Sequence, residues 1–233
     1  MAGVVYRKVA KDDVQGIKDL HVECFPIRYE DVFFENVCNG KGFKNVQLFT
    51  LVAVDTESSL IVGCILGQFV NSEKSDDGGF FSEIRDPARD VFYILTLGLR
   101  KEYRRSGIGT DLLLLSIKYA GKNPDCGAVY LHVIHDNKPA INFYERNGFN
   151  FLRELDEFYN INDRYHSAYL YILYLNGYEP PLFTRFFEKL RNLSQSGFAI
   201  LISWTRALRP LENGFLGKAS SAPIGLNSTV SSL

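Results

Sequence analysis

The run Arg104-Arg105-Ser106-Gly107-Ile108-Gly109 has residue types and spacing suited to holding a phosphate. It follows an apolar run at 91–99 and leads into an apolar-rich segment at 112–119, an order that reads strand, tight turn, helix. Gly107 and Gly109 lack a Cβ, so the backbone of the turn can approach a ligand closely. The first N–H groups of the following helix point out of its start, where the macrodipole favours an anion. The turn is therefore a candidate phosphate or pyrophosphate cradle, with a plain glycine-rich connection as the alternative. A second candidate is His132, inside the apolar run 128–134. An imidazole with a reference pKa of ~6.5 can take a proton near neutral pH, whereas a core histidine in an apolar strand is the alternative. Tyr93 lies on the neighbouring candidate strand and can share that work.

The elements that must position these residues follow from periodicity and breakers. Residues 4–9 read as a first strand. Asp12 and Asp13 cap a helical pattern through Val14, Ile17, Leu20 and His21, which Pro26 ends. Residues 30–37 read as a second short helix. Runs 48–54 and 60–69, joined by a polar turn at 55–59, read as a hairpin, and the acid-, Gly- and Ser-rich stretch 71–90 reads as a long loop. A strand at 91–100, a helix at 107–121 and a strand at 128–134 make a βαβ crossover with parallel strands. A short helix at 139–147 stops at Gly148, and strands at 149–155 and 167–175 follow, separated by a loop around 157–165. On regular alternation, residues 93 and 95 share one face of their strand and 94 and 96 the other, unless a bulge re-aims them beside the site.

Composition narrows the classes. The chain has 233 residues, 46% of them hydrophobic and 23% charged, as expected of a globular protein. A net charge of −1 provides no bulk basic field, so no nucleic-acid partner is expected. Cys24, Cys38, Cys64 and Cys126 lie far apart, which fits buried reduced thiols better than a metal site or a disulfide framework. No secretory signal is read at the N-terminus, and no apolar run reaches the ~18 residues of a membrane span.

Three pieces taken together carry a resemblance. They are the strand Tyr93-Ile94-Leu95-Thr96-Leu97-Gly98-Leu99 with Arg104-x-x-Gly107-x-Gly109; Tyr130-Leu131-His132-Val133 with Asn137 shortly after; and Ala140-Ile141-Asn142-Phe143-Tyr144-Glu145-Arg146-Asn147-Gly148-Phe149. At these pieces the chain resembles the GCN5-related N-acetyltransferase (GNAT) superfamily, over roughly residues 4–175. Phe25-Pro26-Ile27-x-Tyr29, Tyr93-Ile94-Leu95, Tyr130-Leu131-His132-Val133 and Phe158-Tyr159 are similar to its NatF-type N-alpha-acetyltransferases, with the Phe-Pro-Ile-Arg-Tyr-Glu version closest to plant-type members. The chain departs from some of these in having Arg28 in place of an acid and Phe158 in place of the first tyrosine of a pair, which bears on peptide preference.

The resemblance implies an α+β fold, a mixed seven-stranded sheet flanked by helices and splayed to admit acetyl-CoA, with a bulge in the strand that carries Tyr93. It implies transfer of acetyl from acetyl-CoA to protein N-termini (Met followed by an apolar residue or Lys) by direct attack in a ternary complex, without a metal. Tyr93 and His132 are the implied catalytic residues. The implied cofactor-binding residues begin with Leu95, Thr96 and Leu97, the backbone groups of Leu95 and Leu97 pairing with the pantetheine arm and the Leu97 N–H serving as an oxyanion donor. They continue with Lys101, Tyr103, Arg104, Arg105, Ser106, Gly107, Ile108 and Gly109 around the pyrophosphate, and end with Asn137 on the pantetheine arm and Tyr144 near the sulfur. Tyr144 would donate a proton to the leaving thiolate, or else simply pack. Phe25, Tyr29 and Tyr159, with Tyr93 and His132, would line the peptide site. The attacking amine must be neutral, and an α-amine (pKa ~7.7–8.0) loses its proton more readily than a lysine (~10.4) by roughly 3 kcal/mol. A lysine or histone acetyltransferase is the alternative, and a non-catalytic acetyl-CoA-binding membrane scaffold is the second.

Residues 4–177 are read as the acetyltransferase domain, 178–217 as an amphipathic helical segment and 218–233 as a disordered tail. Between 182 and 209 the spacing of Leu182, Phe183, Phe186, Phe187, Leu190 and Leu193 suits an amphipathic helix, and Arg185, Lys189, Arg191, Arg206 and Arg209 face a single acid, Glu188. Such a helix can lie in a membrane interface or dock on the catalytic domain. NatF-type enzymes anchor through this region, so the resemblance implies the cytosolic face of a membrane, the Golgi first and the plasma membrane for a plant-type member.

Overall fold

A computed structural model describes residues 3–26, 29–42, 46–72 and 90–178. The readings at 27–28, at 73–89 and beyond Tyr178, including the amphipathic segment and tail, lie outside these residues. Seven strands form one sheet: β1 (Val4–Lys8), β2 (Leu48–Asp55), β3 (Ile61–Asn71), β4 (Asp90–Leu99), β5 (Cys126–Ile134), β6 (Asn150–Ile161) and β7 (Arg164–Tyr174). Their order is β1-β2-β3-β4-β5-β7-β6. All neighbours are antiparallel except β4 and β5, the parallel pair of the predicted crossover. Helices α1 (Val14–Cys24) and α2 (Asp31–Cys38) cover one face, and α3 (Ile108–Ala120) and α4 (Lys138–Arg146) the other.

Each face has its own apolar core. Ile17 and Leu20 of α1 and Phe34 and Val37 of α2 pack on Val52, Leu66, Val91 and Tyr93. Leu112 and Leu113 of α3 and Ile141 and Tyr144 of α4 pack on Ile65, Phe92, Ile94 and Leu97. Strand alternation distributes β5 in the same way, with Ala128 and Tyr130 toward α1 and Val129, Leu131 and Val133 toward α3. Asp13, whose side chain makes no capping bond to α1, instead closes the 3-10 turn at 11–13 before it, accepting from Ala10 N at 2.7 Å and binding the Arg7 guanidinium at 2.6 and 2.8 Å.

One sequence expectation is overturned. Residues 157–165 are not a loop: β6 and β7 are a long hairpin turning at Asn162 and Asp163, both at positive φ. The polar residues that suggested a loop lie on the exposed side of β6, at the edge of the sheet, where solvent satisfies them.

Buried between α1 and α2 is a histidine that the sequence placed only as part of a helical pattern. His21 is 1% exposed, its Nδ1 lies 3.1 Å from the Ile17 carbonyl oxygen, and the rings of Phe25, Tyr29, Phe33 and Phe34 surround it. Burial pushes its pKa down from 6.5 to about 4. Between those values the unfolded chain binds a proton that the native protein refuses, so stability falls on acidification through this window, by ~3 kcal/mol. The variant His21→Leu is expected to flatten that dependence. Urea unfolding of both proteins at pH 7 and pH 4.5 checks it, and an unchanged pH slope would refute it.

Candidate active site

Strand β4 is where both halves of the site meet. Its ladder to β3 pairs Leu66 with Thr96 and then Gly67 with Ile94, so Leu95 is the extra residue of a bulge. Phe92 and Ile94 before the bulge, and Leu97 and Leu99 after it, all face α3. Parity has therefore shifted: Tyr93 and Leu95 face α1, and so do Thr96 and Gly98, a Cβ on Gly98 falling 2.9 Å from the Phe25 ring. The regular alternation that separated 95 from 96 is corrected by this bulge. The ladder from β4 to β5 runs only from Asp90 to Tyr93. Beyond Tyr93 that ladder stops, so the backbone groups of residues 94–98 that do not bond β3 are directed toward the gap.

On the α1 side of that gap the Tyr93 hydroxyl lies 3.0 Å from His132 Nδ1. Tyr130 stacks on Tyr93 with ring centres 4.7 Å apart, and Phe158 of β6 lies over the imidazole at 4.3 Å. Phe158 reaches it through a second bulge, in which residues 156–158 stand opposite one residue of β7 and Glu157 takes φ +52°. Tyr29 stacks on Phe33 at 4.2 Å in the neighbouring aromatic group. Tyr159 is buried.

On the α3 side the turn forms as its glycines suggested. Gly107, at φ +92°, caps α3, and a Cβ there would meet nothing within 4 Å, so its conformation is what demands glycine. Arg105 is also at positive φ (60°), and Ser106 donates to the Tyr103 carbonyl at 2.6 Å. Arg104, with Nε donating to the Leu99 carbonyl at 3.2 Å, borders a cavity of about 580 Å³ together with Arg105, Gly107 and Gly109. Lys138, Asn142, Phe143 and Arg146 of α4 complete it. Among the described residues, the lining has four cations, a helix N-terminus and no carboxylate, which suits a polyanion such as the pyrophosphate and phosphate of a CoA thioester.

Several sequence-predicted residues stand apart from these two groups. The Tyr103 hydroxyl donates to Asp55 at 2.7 Å. With the Ser58 and Glu57 N–H groups it holds the Asp55 carboxyl below its usual range. Tyr103 thus ties the turn to the β2–β3 connection, and Tyr103→Phe is expected to raise KM for acetyl-CoA about ten-fold at unchanged kcat. Steady-state kinetics checks this, and an unchanged KM would refute it. Asn137 caps α4, its Oδ1 accepting from Ala140 N at 3.2 Å. Tyr144 is fully buried beside Phe143 and Phe149. Lys101 is exposed, Ile108 packs in the α3 core, and Thr96 is buried with no partner for its hydroxyl among the described residues. Cys64 and Cys126 are buried, which pushes their thiols up and away from the thiolate a nucleophile needs.

Sequence reasoning missed Lys138 and Arg146, although the signal was there as basic residues at both ends of the helix after the second strand. Phe158 was noted only as a departure from a pattern, and its contact with His132 needs the β6 bulge.

A splayed parallel pair with a cationic turn on one face and a phenol–imidazole pair on the other defines an acyl-CoA-dependent N-acyltransferase. The profile of the Acetyltransferase (GNAT) family matches residues 14–149, and the chain belongs to that family. It is 36% identical to N-alpha-acetyltransferase 60 of Xenopus tropicalis over 78% of this chain and 74% of that protein. It is 34% identical to Histone acetyltransferase MCC1 of Arabidopsis thaliana over 76% of this chain and 72% of that one. The crystal structure of Arabidopsis thaliana NAA60 with a bisubstrate analogue superposes with a TM-score of 0.67 at 34% identity, covering 75% of this chain and 99% of that one. The same Arabidopsis protein with acetyl-CoA gives 0.66 at 33% identity, over 75% and 100%. The protein is an acetyltransferase that uses acetyl-CoA.

Proposed function

We propose that this enzyme acetylates the α-amine of protein N-termini by direct attack on acetyl-CoA. The observation that carries the reading is the Tyr93–His132 pair, 3.0 Å apart on the face opposite the cationic cavity. Acetyl-CoA enters from the turn and reaches through the splay, while the peptide approaches from the α1 side past Phe25 and Tyr29. An imidazole is matched to an α-amine (pKa ~7.7–8.0) and poorly matched to a lysine (~10.4). The relatives named N-alpha-acetyltransferase 60 support the same reading. The aromatic walls suit an apolar first residue such as Met, followed by an apolar residue or Lys.

Two matched peptides test it with purified protein and acetyl-CoA. One begins Met-Leu with a free α-amine and has no lysine; the other has a blocked α-amine and one internal lysine. Product from the first alone is expected. Product mainly from the second would move the function to lysine acetylation, a reading favoured by the name of the Arabidopsis relative, Histone acetyltransferase MCC1.

We infer a membrane address from the sequence of residues 182–209, whose basic amphipathic pattern suits an interfacial helix. Among the described residues no helix is long and apolar enough to cross a membrane. The enzyme then works at the cytosolic face, at the Golgi or, as a plant-type member, at the plasma membrane, on proteins with cytosolic N-termini. Deleting residues 182–233 is expected to release it into the soluble fraction, and unchanged sedimentation with membranes would overturn the assignment.

A further inference from the structure

The imidazole at the centre of this site is shut away from solvent. His132 is 1% exposed, whereas Tyr93 keeps 8% of its surface open. Phe158 covers the imidazole at 4.3 Å with its ring tilted by 35°, Tyr130 meets it edge-on at 6.0 Å, and the Tyr93 hydroxyl occupies the Nδ1 side at 3.0 Å. The cover is a built feature of the strand, because three residues of β6 stand opposite one of β7 and Glu157 is held at φ +52°, a conformation that costs a non-glycine residue free energy. A base that acted directly, or through a bulk water, would need one nitrogen open to the amine.

We propose that Phe158 closes the direct path to His132 and makes the Tyr93 hydroxyl the port through which the substrate proton passes. The inference rests on the N-terminal acetyltransferase reading and specifies its proton path. The amine lone pair attacks the thioester carbonyl carbon, forming the C–N bond. As it forms, the nitrogen gives a proton to Tyr93 Oη while the phenol passes its own proton to His132 Nδ1. The C–S bond then breaks with its electron pair on sulfur, and the proton held on the imidazolium returns through Tyr93 to the thiolate. One proton moves from nitrogen to sulfur, and the Tyr93–His132 pair ends as it began. Phe158 is a positioning residue: it touches no reacting atom and acts by excluding water from His132.

Kinetics of Tyr93→Phe, Phe158→Ala and the double variant test this with the Met-Leu peptide, with acetyl-CoA affinity measured for each by calorimetry. Tyr93→Phe is expected to lower kcat ~100-fold, within the range of a lost general base, at unchanged acetyl-CoA affinity. Adding Phe158→Ala to it is expected to restore activity at least ~10-fold, because water can then reach the imidazole directly. A double variant that binds acetyl-CoA normally yet is no faster than Tyr93→Phe would overturn the proposal. A second measurement needs no variant. Single-turnover rates of the unaltered protein across H2O–D2O mixtures are expected to bow, as for two protons moving together, and a straight line would equally overturn it. Failure to acetylate the Met-Leu peptide at all is a different result, which removes the N-terminal reading itself.

Discussion

Replacing His132 with alanine is expected to lower kcat on a free α-amine peptide by ~100-fold at pH 7, the low end of what a general base contributes. The deficit should persist toward pH 9, because even a neutral amine must lose a proton as the C–N bond forms. Acetyl-CoA affinity should hold, because the cationic cavity belongs to the turn and α4 on the opposite face. His132→Asn, which keeps a polar side chain in the space under Phe158, should be as slow as the alanine variant. Turnover within three-fold of the unaltered protein in either variant would remove His132 from the chemistry and leave it as a packed core residue. A non-catalytic scaffold would show no turnover to lose.

The second large effect is on stability. A Cβ on Gly67 would lie 2.4 and 2.5 Å from the Phe92 ring and 3.1 Å from the Tyr93 carbonyl oxygen. Phe92 is fully buried, with Phe49, Phe69 and Tyr119 at ring-centre distances of 5.9, 5.2 and 6.0 Å, and a cavity of about 210 Å³ bordered by these rings is the space it could move into. Gly67 also sits opposite the β4 bulge, so a shift there displaces the backbone that carries Tyr93. Overpacking at such a site costs about 3 kcal/mol, which for a domain of this size lowers Tm by ~6–12 °C. Gly67→Ala is therefore expected to melt well below the unaltered protein in calorimetry. A Tm within 2 °C would mean that the Phe92 ring swings into that cavity and relieves the clash. Gly63, whose nearest virtual Cβ contacts are all at 3.3 Å, should tolerate the same change better.

The legible parts of the site were those encoded by neighbours in sequence. The turn from Arg104 to Gly109 announced itself because glycine at a positive-φ cap and a helix start are local requirements, met within a few residues. The βαβ order was readable because apolar period and breakers change over windows of about ten residues. Tyr93 and His132 could be placed on adjacent strands for the same reason, and the resemblance named them as partners. The β6–β7 hairpin was misread because an edge strand with one wet face carries charged residues at a density that also marks loops.

By itself, then, the sequence determined the element order, the anion-holding turn and the residue types able to move a proton. Only the tertiary structure decided which faces those residues share. The bulge at Leu95 shifts strand parity by one, and a bulge depends on the partner strand as much as on its own residues. The 3.0 Å contact between Tyr93 and His132 joins positions 39 residues apart, the cavity draws Lys138 and Arg146 to Arg104 across a crossover, and Phe158 reaches the imidazole only through the bulged edge strand. Local propensity acts over one helical turn or a few strand residues, whereas these contacts are set by the packing of two cores on one sheet.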